Sequence, residues 1–168
     1  MAHTEDHLRQ ATRNLKFLEN INQLVTDSLD WQVTTCFYTA LHLINAHLAN
    51  FGMQYKTHHD VDDAINPAHR LSPCKISEDT YKAYKMLYNL SRRSRYLVMV
   101  TNNRVVDTGK AELTYCKHQA RALRHLNTVL EFYCGQYDAK ISLVKIMCGG
   151  GDWGCKSSTL LTLVVLKK

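Results

Sequence analysis

Three arginines fall within four positions of the segment SRRSRYL, which runs from Ser91 to Leu97. A guanidinium offers planar, paired N–H donors that suit the oxygens of a phosphate. Arginines at the C-terminal end of a helix also have a purely structural explanation, because cations there complement the helix dipole. Arg92, Arg93 and Arg95 therefore mark either an anion-binding surface or an ordinary solvated helix end.

Two neighbouring histidines, His58 and His59, stand in a predicted loop just ahead of the acidic stretch DVDD at 60–63. Adjacent loop histidines seldom bind one metal ion together, and further ligands would have to come from elsewhere in the chain. The aspartates fit the first turn of a short helix, where the dipole favours acids. We therefore expect neither a metal nor a cofactor.

A third polar group lies in the most apolar long segment of the chain. Tyr38, His42 and Asn45 recur at i, i+4 and i+7, so they share one face of a helix. Each buried polar group without a partner costs on the order of 1–3 kcal/mol. These side chains form either a hydrogen-bond network that fixes the helix register or a polar cleft between helices.

Composition narrows the classes of partner. The formal net charge of +6 over 168 residues favours an anionic partner such as nucleic acid, a nucleotide or an acidic protein. No P-loop or G-x-S-x-G motif is present, and the GGG run at 149–151, between Cys148 and Cys155, is predicted to be a turn. The N-terminus lacks an apolar leader and no apolar run approaches the roughly 18 residues of a membrane span. We therefore expect a cytoplasmic protein that does not enter a membrane.

Apolar periodicity predicts four long helices and a short one. The first covers about 5–26 after an N-cap at Thr4, and the second follows a cap at Ser28 and stops at Gly52. A short helix is predicted around 60–65. Short loops between long helices predict an all-α, antiparallel up-and-down bundle.

The arginines lie at the end of the third long helix, ahead of the fourth. The third begins after a cap at Ser77 and continues through SRRSRYL, with small serines at 91 and 94 that let a neighbouring helix approach closely. A turn-rich connection, VTNNRVVDTGK, then leads to a last helix over about 111–135, with Asp107 or Thr108 as its cap. We place the helical domain at 1–135. Residues 136–168 form an atypical tail, either a small hairpin or a segment packed on the bundle.

Two segments of the sequence together resemble the HEPN superfamily. They are WQVTTCFYTALHLINAHLANFGMQYKTHHDVDDAI and YKAYKMLYNLSRRSRYL, and the resemblance spans about residues 5–135. It implies a bundle of four or five helices that often dimerises. Many members are metal-independent ribonucleases, several act as toxins in toxin–antitoxin or defence systems, and others bind nucleotides or are inactive scaffolds.

The nuclease members of that superfamily carry an arginine and a histidine in an Arg-x4-6-His spacing on a late helix. The histidine would deprotonate a ribose 2′-hydroxyl while the arginine stabilises the phosphorane. This chain lacks the spacing, because Arg121 and His125 have only three residues between them. A site of that form is therefore not expected. Two alternatives stay open: either the loop histidines His58 and His59 meet the arginines at one end of the bundle, or His59 caps or packs and the arginines are solvated.

The predicted site residues follow from the first of these alternatives. The catalytic candidates are Arg95, His59 and Arg92. The substrate-binding candidates are Arg93, Tyr96, Tyr38, His42 and His58.

Three functions remain open. The first is a HEPN-like, dimeric protein that binds RNA, a nucleotide or a cognate antitoxin, and that cleaves RNA without metal if it is catalytic. The second is a non-enzymatic helical module for protein–protein interaction. The weakest is a metal- or cofactor-binding bundle that uses His42, His47, His58 or His59.

Overall fold

The computed structural model describes residues 2–25, 27–101, 104–139, 141, 144–148 and 159–163. As predicted, these residues form an all-α bundle with short strands added. Its helices are α1 (Thr4–Leu24), α2 (Leu29–Asn50), α3 (His58–Ile65), α4 (Glu78–Tyr96) and α5 (Cys116–Tyr137). Its strands are β1 (Met99–Thr101), β2 (Arg104–Val106), β3 (Val144–Cys148) and β4 (Thr159–Leu163).

Helix α2 occupies the centre of the bundle and packs against α1, α4 and α5. This position explains why its sequence is apolar on most sides, since each face meets another helix. Phe37, Ala40 and Leu43 on α2 are fully buried. Within the described residues, no helix is both long and apolar enough to span a bilayer.

Hydrogen bonds between helix ends fix the up-and-down order. The Thr4 hydroxyl at the start of α1 donates to Asn50 at the end of α2, so these helices are antiparallel. Helix α4 also runs against α2, because Ser94 in its last turn bonds Thr114 just ahead of α5, and Gln119 in the first turn of α5 bonds Gln32 near the start of α2. Helix α5 runs parallel to α2, since His47 near the end of α2 contacts Tyr137 at the end of α5.

Two predicted helix starts differ in detail from the structure. Thr4 is the first residue of α1, not its cap, and its hydroxyl is occupied by Asn50. Ser28 does precede α2, but its hydroxyl donates to carbonyl oxygens of Ile21 and Val25 rather than capping α2. The predictions at Ser77 and Gly52 are confirmed. Ser77 accepts a hydrogen bond from the Thr80 amide, and α2 ends just before Gly52, whose φ of +70° suits glycine.

Helix α3 begins two residues earlier than predicted, which changes the setting of both histidines. The Thr57 side chain caps it by accepting from the Asp60 amide, at 3.1 Å. His58 and His59 are therefore the first residues of a helix and not members of a loop.

The prediction for the connection between α4 and α5 is wrong in two respects. Strands β1 and β2 form an antiparallel hairpin there, with Met99 opposite Val106. Helix α5 begins at Cys116 rather than near 111, and neither Asp107 nor Thr108 caps it. The Asp107 carboxylate instead accepts from the Gly109 amide at 2.8 Å, so its capping capacity is used in a turn.

The tail contains a hairpin. Strands β3 and β4 pair antiparallel, with Val144 opposite Leu163, and β3 packs against α1 and α5. Ile146 is fully buried. The predicted turn at 149–151 and the side chain of Cys155 lie outside the described residues.

A polar network ties this hairpin to three helices. The Asn22 amide donates to the Gln32 side chain at 2.9 Å and to the Met147 carbonyl at 2.8 Å. The Met147 amide donates back to the Asn22 oxygen at 2.8 Å. The Gln119 amide completes the network by donating to Gln32. Because Gln32 and Gln119 are buried, each depends on these partners for hydrogen bonding.

Asn22→Ala should therefore destabilise the protein by about 1–3 kcal/mol, because it leaves the partly buried partners of Asn22 without their hydrogen bonds. Urea unfolding measures the change. Asn127→Ala is the matched control, because the Asn127 amide donates to Glu131 on the exposed side of α5. Equal effects of the two substitutions would contradict the role given to Asn22.

Acid should destabilise the fold through its histidines. Burial lowers the pKa of His7, His42, His47, His58, His118 and His125, and that of His118 falls to about 4. Below about pH 6.5 the histidines of the unfolded chain bind protons that those of the folded chain do not. The free energy of unfolding therefore decreases as the pH is lowered. His118, with a folded-state pKa of about 4, contributes a slope of up to about 1.4 kcal/mol per pH unit between about pH 4 and pH 6.5, and the other five histidines contribute in the same direction.

Urea unfolding at pH 7.5, 5.5 and 4.5 measures that slope. His118→Gln should flatten it between about pH 6.5 and about pH 4. The exposed His69→Gln serves as the control. A slope unchanged by His118→Gln would show that His118 protonates as readily in the folded as in the unfolded protein.

Candidate functional site

The arginines of α4 diverge because the serines between them face inward. Ser91 is fully buried and Ser94 is 7% exposed, and both pack toward the rest of the bundle. Their burial fits the close approach of a neighbouring helix that the sequence predicts. The arginines emerge on different sides of the helix, and each has different partners.

Arg95 is held by neighbouring polar and aromatic groups. Its Nε donates to the Ser91 hydroxyl at 3.1 Å, and its guanidinium lies 5.0 Å from the centre of the Tyr96 ring and 5.7 Å from that of Tyr38. The contacts to the two phenolic oxygens are long, at 3.4 Å. The structure thus brings together Arg95, Tyr96 and Tyr38, as the predicted site requires.

Arg92 lies on the same side of α4 as Arg95. Its guanidinium is 5.7 Å from the centre of the Tyr88 ring. Within the part of the chain that the structure describes, no carboxylate lies within ion-pair distance of Arg92 or Arg95. Both positive charges are therefore available to an anion from solution.

Arg93 belongs to a different environment. Its guanidinium forms an ion pair with Glu112 at 2.6 Å, and its Nε donates to the Leu113 carbonyl at 2.9 Å. It borders a separate pocket of about 670 Å³ between α4 and α5, together with His118 and Arg121. The structure does not bring Arg93 to the other two arginines, and its contacts explain it as a structural link between α4 and the start of α5.

His58 meets the arginines from the first turn of α3. Its ring packs against Phe37 and Tyr88, with 5.4 Å between ring centres in each case. It borders two adjoining pockets that share His58, Tyr88 and Arg92. The sequence left open which histidine approaches the arginines, and the structure places His58 there.

The two adjoining pockets, called the outer and the inner pocket, differ in volume and in the residues that line them. The outer pocket, of about 590 Å³, is lined by His58, Tyr88, Arg92, Arg95, Tyr96, Val98 and Val105. The inner pocket, of about 320 Å³, is lined by His58, His59, Asp62, Asp63, Tyr84, Lys85, Tyr88 and Arg92. Both volumes suit a small ligand or part of a larger one.

His59 contributes differently from His58. Its side chain is 81% exposed, and its Nδ1 lies 3.1 Å from the Asp63 carboxylate one helical turn away. It borders the inner pocket but does not line the outer pocket that contains Arg95. Its position at the rim is less suited to acid–base chemistry beside Arg95 than that of His58.

His42 and Tyr38 have separate partners although they share a helix. Tyr38 faces Arg95, whereas the Nδ1 of His42 lies 3.2 Å from the Nδ1 of His7 on α1. One of these rings donates and the other accepts. His42 is therefore outside both pockets, and its contact with His7 fits the hydrogen-bond network that was one of the two readings of this face.

His47 is also part of the packing between elements. Its Nδ1 contacts the Tyr137 hydroxyl at 2.6 Å, and its Nε2 lies 3.3 Å from the Cys74 carbonyl. In the described ranges, no three His, Cys, Asp or Glu side chains converge as a metal site would require.

The electrostatics of the outer pocket favour a neutral His58. Burial lowers the pKa of His58, and the positive charge of Arg95 lowers it further. At neutral pH the unprotonated ring can accept a proton. A histidine beside arginines that lack carboxylate partners has the parts needed to bind a phosphate and to act as a general base.

Sequence reasoning missed the aromatic and hairpin walls of these pockets. Tyr84 and Tyr88 are spaced i, i+4 on α4, and Tyr81 precedes them by three residues. That periodicity signals a shared helix face and was available from the sequence. Val98 precedes strand β1 and Val105 lies within β2, and neither was expected at the site because this connection was predicted as turns.

These features define a class of protein: an all-α bundle with a basic, aromatic-lined cleft at one side. The HEPN domain model matches residues 4–132, and the chain belongs to the HEPN family. Neither the curated proteins nor the solved structures gave a match. Family membership points to an RNA-related or nucleotide-binding role, and HEPN proteins often act as dimers and bind RNA.

The arginine and histidine nearest to the family spacing lie away from the cleft. Arg121 borders the pocket between α4 and α5, and His125 lines neither the inner nor the outer pocket. Burial and then the charges of Arg121 and Arg124 lower the pKa of His125. In this chain the arginines with a free charge and the histidine beside them come from α4 and α3.

Because Arg95 and Arg93 lie in different environments, replacing each one should change the pKa of a different histidine. Arg95→Gln should raise the pKa of His58 and leave that of His118 unchanged, because Arg95 acts on His58 alone of the two. Arg93→Gln should raise the pKa of His118 and leave that of His58 unchanged. NMR titration of the histidine Cε1–Hε1 signals measures both. A His58 pKa that responds equally to both substitutions would contradict the separation of the two environments.

Proposed function

We propose that this protein binds RNA at the outer pocket and cleaves it without a metal ion. The observation that carries the proposal is the meeting of His58 with Arg92 and Arg95, whose charges no described carboxylate neutralises. His58 replaces His59 as the base in this proposal, because it lies beside Arg95 and is held by aromatic contacts.

Recognition would begin with the RNA backbone. Arg92 and Arg95 are placed to donate paired hydrogen bonds to phosphate oxygens. Tyr96 is 60% exposed and Tyr38 is 36% exposed, so both rings are open to an unstacked base. Single-stranded RNA suits such a surface, because its bases can stack on aromatic rings and on guanidinium planes.

The proposed reaction uses groups within the RNA. His58 takes the proton from a ribose 2′-hydroxyl, and the 2′-oxygen attacks the adjacent phosphorus. The P–O5′ bond breaks, and the 5′-oxygen leaves with a proton from solvent. Arg95 and Arg92 stabilise the negative charge of the phosphorane. The products are a 2′,3′-cyclic phosphate and a 5′-hydroxyl.

The wider proposal is a homodimer that has a cognate antitoxin, within a toxin–antitoxin or defence system. Support comes from apolar side chains exposed beside the outer pocket. Leu97, Met99, Val105 and Val106 are between 41% and 51% exposed, and together they border the hairpin next to Tyr96. Such a patch is typical of an interface. Light scattering of the purified protein, alone and co-expressed with its genomic neighbour, tests both partners.

The catalytic test is incubation of the protein with mixed RNA in EDTA, with detection of 2′,3′-cyclic phosphate ends. His58→Ala should slow cleavage by about 10²–10⁴-fold, the usual contribution of a general base. Arg95→Ala should also abolish measurable cleavage. Arg124→Ala removes an equal charge from the exposed side of α5 and should cleave at the wild-type rate.

Other outcomes favour other functions. Salt-sensitive RNA binding without cleavage, lost in Arg92→Ala and Arg95→Ala, would indicate a binding protein rather than an enzyme. If the protein neither binds nor cleaves RNA, that result would favour the alternative, a non-enzymatic helical module for protein–protein interaction. Cleavage that EDTA abolishes would contradict the metal-independent reaction.

A further inference from the structure

The inner pocket contains a polar group that the fold itself leaves unsatisfied. Tyr84 is only 2% exposed, and its hydroxyl has no hydrogen-bond partner among the described residues. Burying an unpaired hydroxyl carries a cost in stability. Tyr84 packs against Phe37 at 5.9 Å between ring centres and lines the inner pocket. Nothing in the packing of the core requires the hydroxyl, since a phenylalanine would fill the same space.

Asp62 supplies a second polar atom to the same pocket. Its Oδ2 accepts from the Lys85 ammonium at 2.9 Å. Its Oδ1 is buried and lacks a hydrogen-bond partner in the described part of the chain. Burial, and then the nearby charge of Asp62, raise the pKa of Tyr84, so the Tyr84 hydroxyl stays protonated at neutral pH. The pocket therefore presents one donor from Tyr84 and one acceptor from Asp62.

The wall of the inner pocket is built from flat groups. The rings of His58 and Tyr88 are 5.4 Å apart, and the Arg92 guanidinium lies over the Tyr88 ring. Planar groups of this kind stack on nucleobases. A base edge that offers a donor and an acceptor side by side would match Asp62 and Tyr84, as the edges of nucleobases do.

We infer that the inner pocket is a nucleobase subsite, in which Tyr84 and Asp62 hydrogen-bond the edge of one base. The inference rests on the proposed function, since it takes the phosphate of that nucleotide to lie against Arg92 and Arg95. The two pockets adjoin at His58, Tyr88 and Arg92, so one nucleotide spans both. The subsite gives the protein a preference among bases at one position of its RNA.

The test compares ligands that differ only in the base. Calorimetry or NMR titration measures binding of the four nucleoside 5′-monophosphates and of ribose 5-phosphate, which lacks the base. We expect at least one monophosphate to bind roughly tenfold more tightly than ribose 5-phosphate, a difference of about 1.4 kcal/mol. Tyr84→Phe should remove most of that difference and leave the affinity for ribose 5-phosphate unchanged.

Two further variants separate a subsite from a structural role. Tyr133→Phe removes a hydroxyl from another buried tyrosine, on α5 and outside the pocket, and should not alter binding. Asp62→Asn exchanges an acceptor for a group that also donates, so it should change which monophosphate binds best. Urea unfolding should show Tyr84→Phe to be at least as stable as the wild type, because it deletes an unpaired buried hydroxyl.

The possible results distinguish the base subsite from the phosphate site of the proposed function. Equal affinity for ribose 5-phosphate and every monophosphate would overturn the base subsite while the phosphate site stands. A base preference that survives Tyr84→Phe and Asp62→Asn would also overturn it. A Tyr84-dependent preference that is insensitive to Arg95→Gln would support the subsite and contradict the phosphate site of the proposed function. Absence of binding by all five ligands would contradict both.

Discussion

The ring of Phe37 is the contact on which the candidate site depends. It is fully buried at the centre of α2, and its ring centre lies 5.4 Å from those of Tyr38 and His58, 5.5 Å from that of Tyr88 and 5.9 Å from that of Tyr84. One core residue thus orients side chains from α2, α3 and α4. Aromatic pairs of this geometry contribute to stability beyond their buried area, so these contacts help to hold the side chains of the cleft in position.

Charge pairing assigns different roles to three arginines that look alike in sequence. Arg93 is neutralised by Glu112 and joins α4 to the start of α5. Arg92 and Arg95 instead lie over tyrosine rings, which attract cations without cancelling their charge. Their field lowers the cost of bringing a phosphate to the cleft. It also opposes protonation of His58, so anion binding and proton acceptance are linked through Arg95.

Much of the fold follows from local sequence rules. Apolar periodicity predicted the helices, and Ser77 and Gly52 predicted two of their boundaries. The resemblance to the HEPN superfamily predicted the helical bundle, and the family match confirms that resemblance. Two of the wrong helix starts share one cause, because the side chains predicted as caps have other partners: Thr4 bonds Asn50, and Asp107 closes a turn with Gly109. The start of α3 was placed too late because its cap, Thr57, was not identified in the sequence. The division of the chain at residue 135 stays a prediction.

The sequence by itself determined the cationic density of SRRSRYL, its place at the end of a helix, and the absence of the family's arginine–histidine spacing. Only the tertiary structure decided that His58 rather than His59 meets Arg95, and that Arg93 turns away to Glu112. The physical reason is distance along the chain. His58 and Arg95 come from different helices, and their approach depends on how α3 and α4 pack on Phe37, which no local pattern encodes.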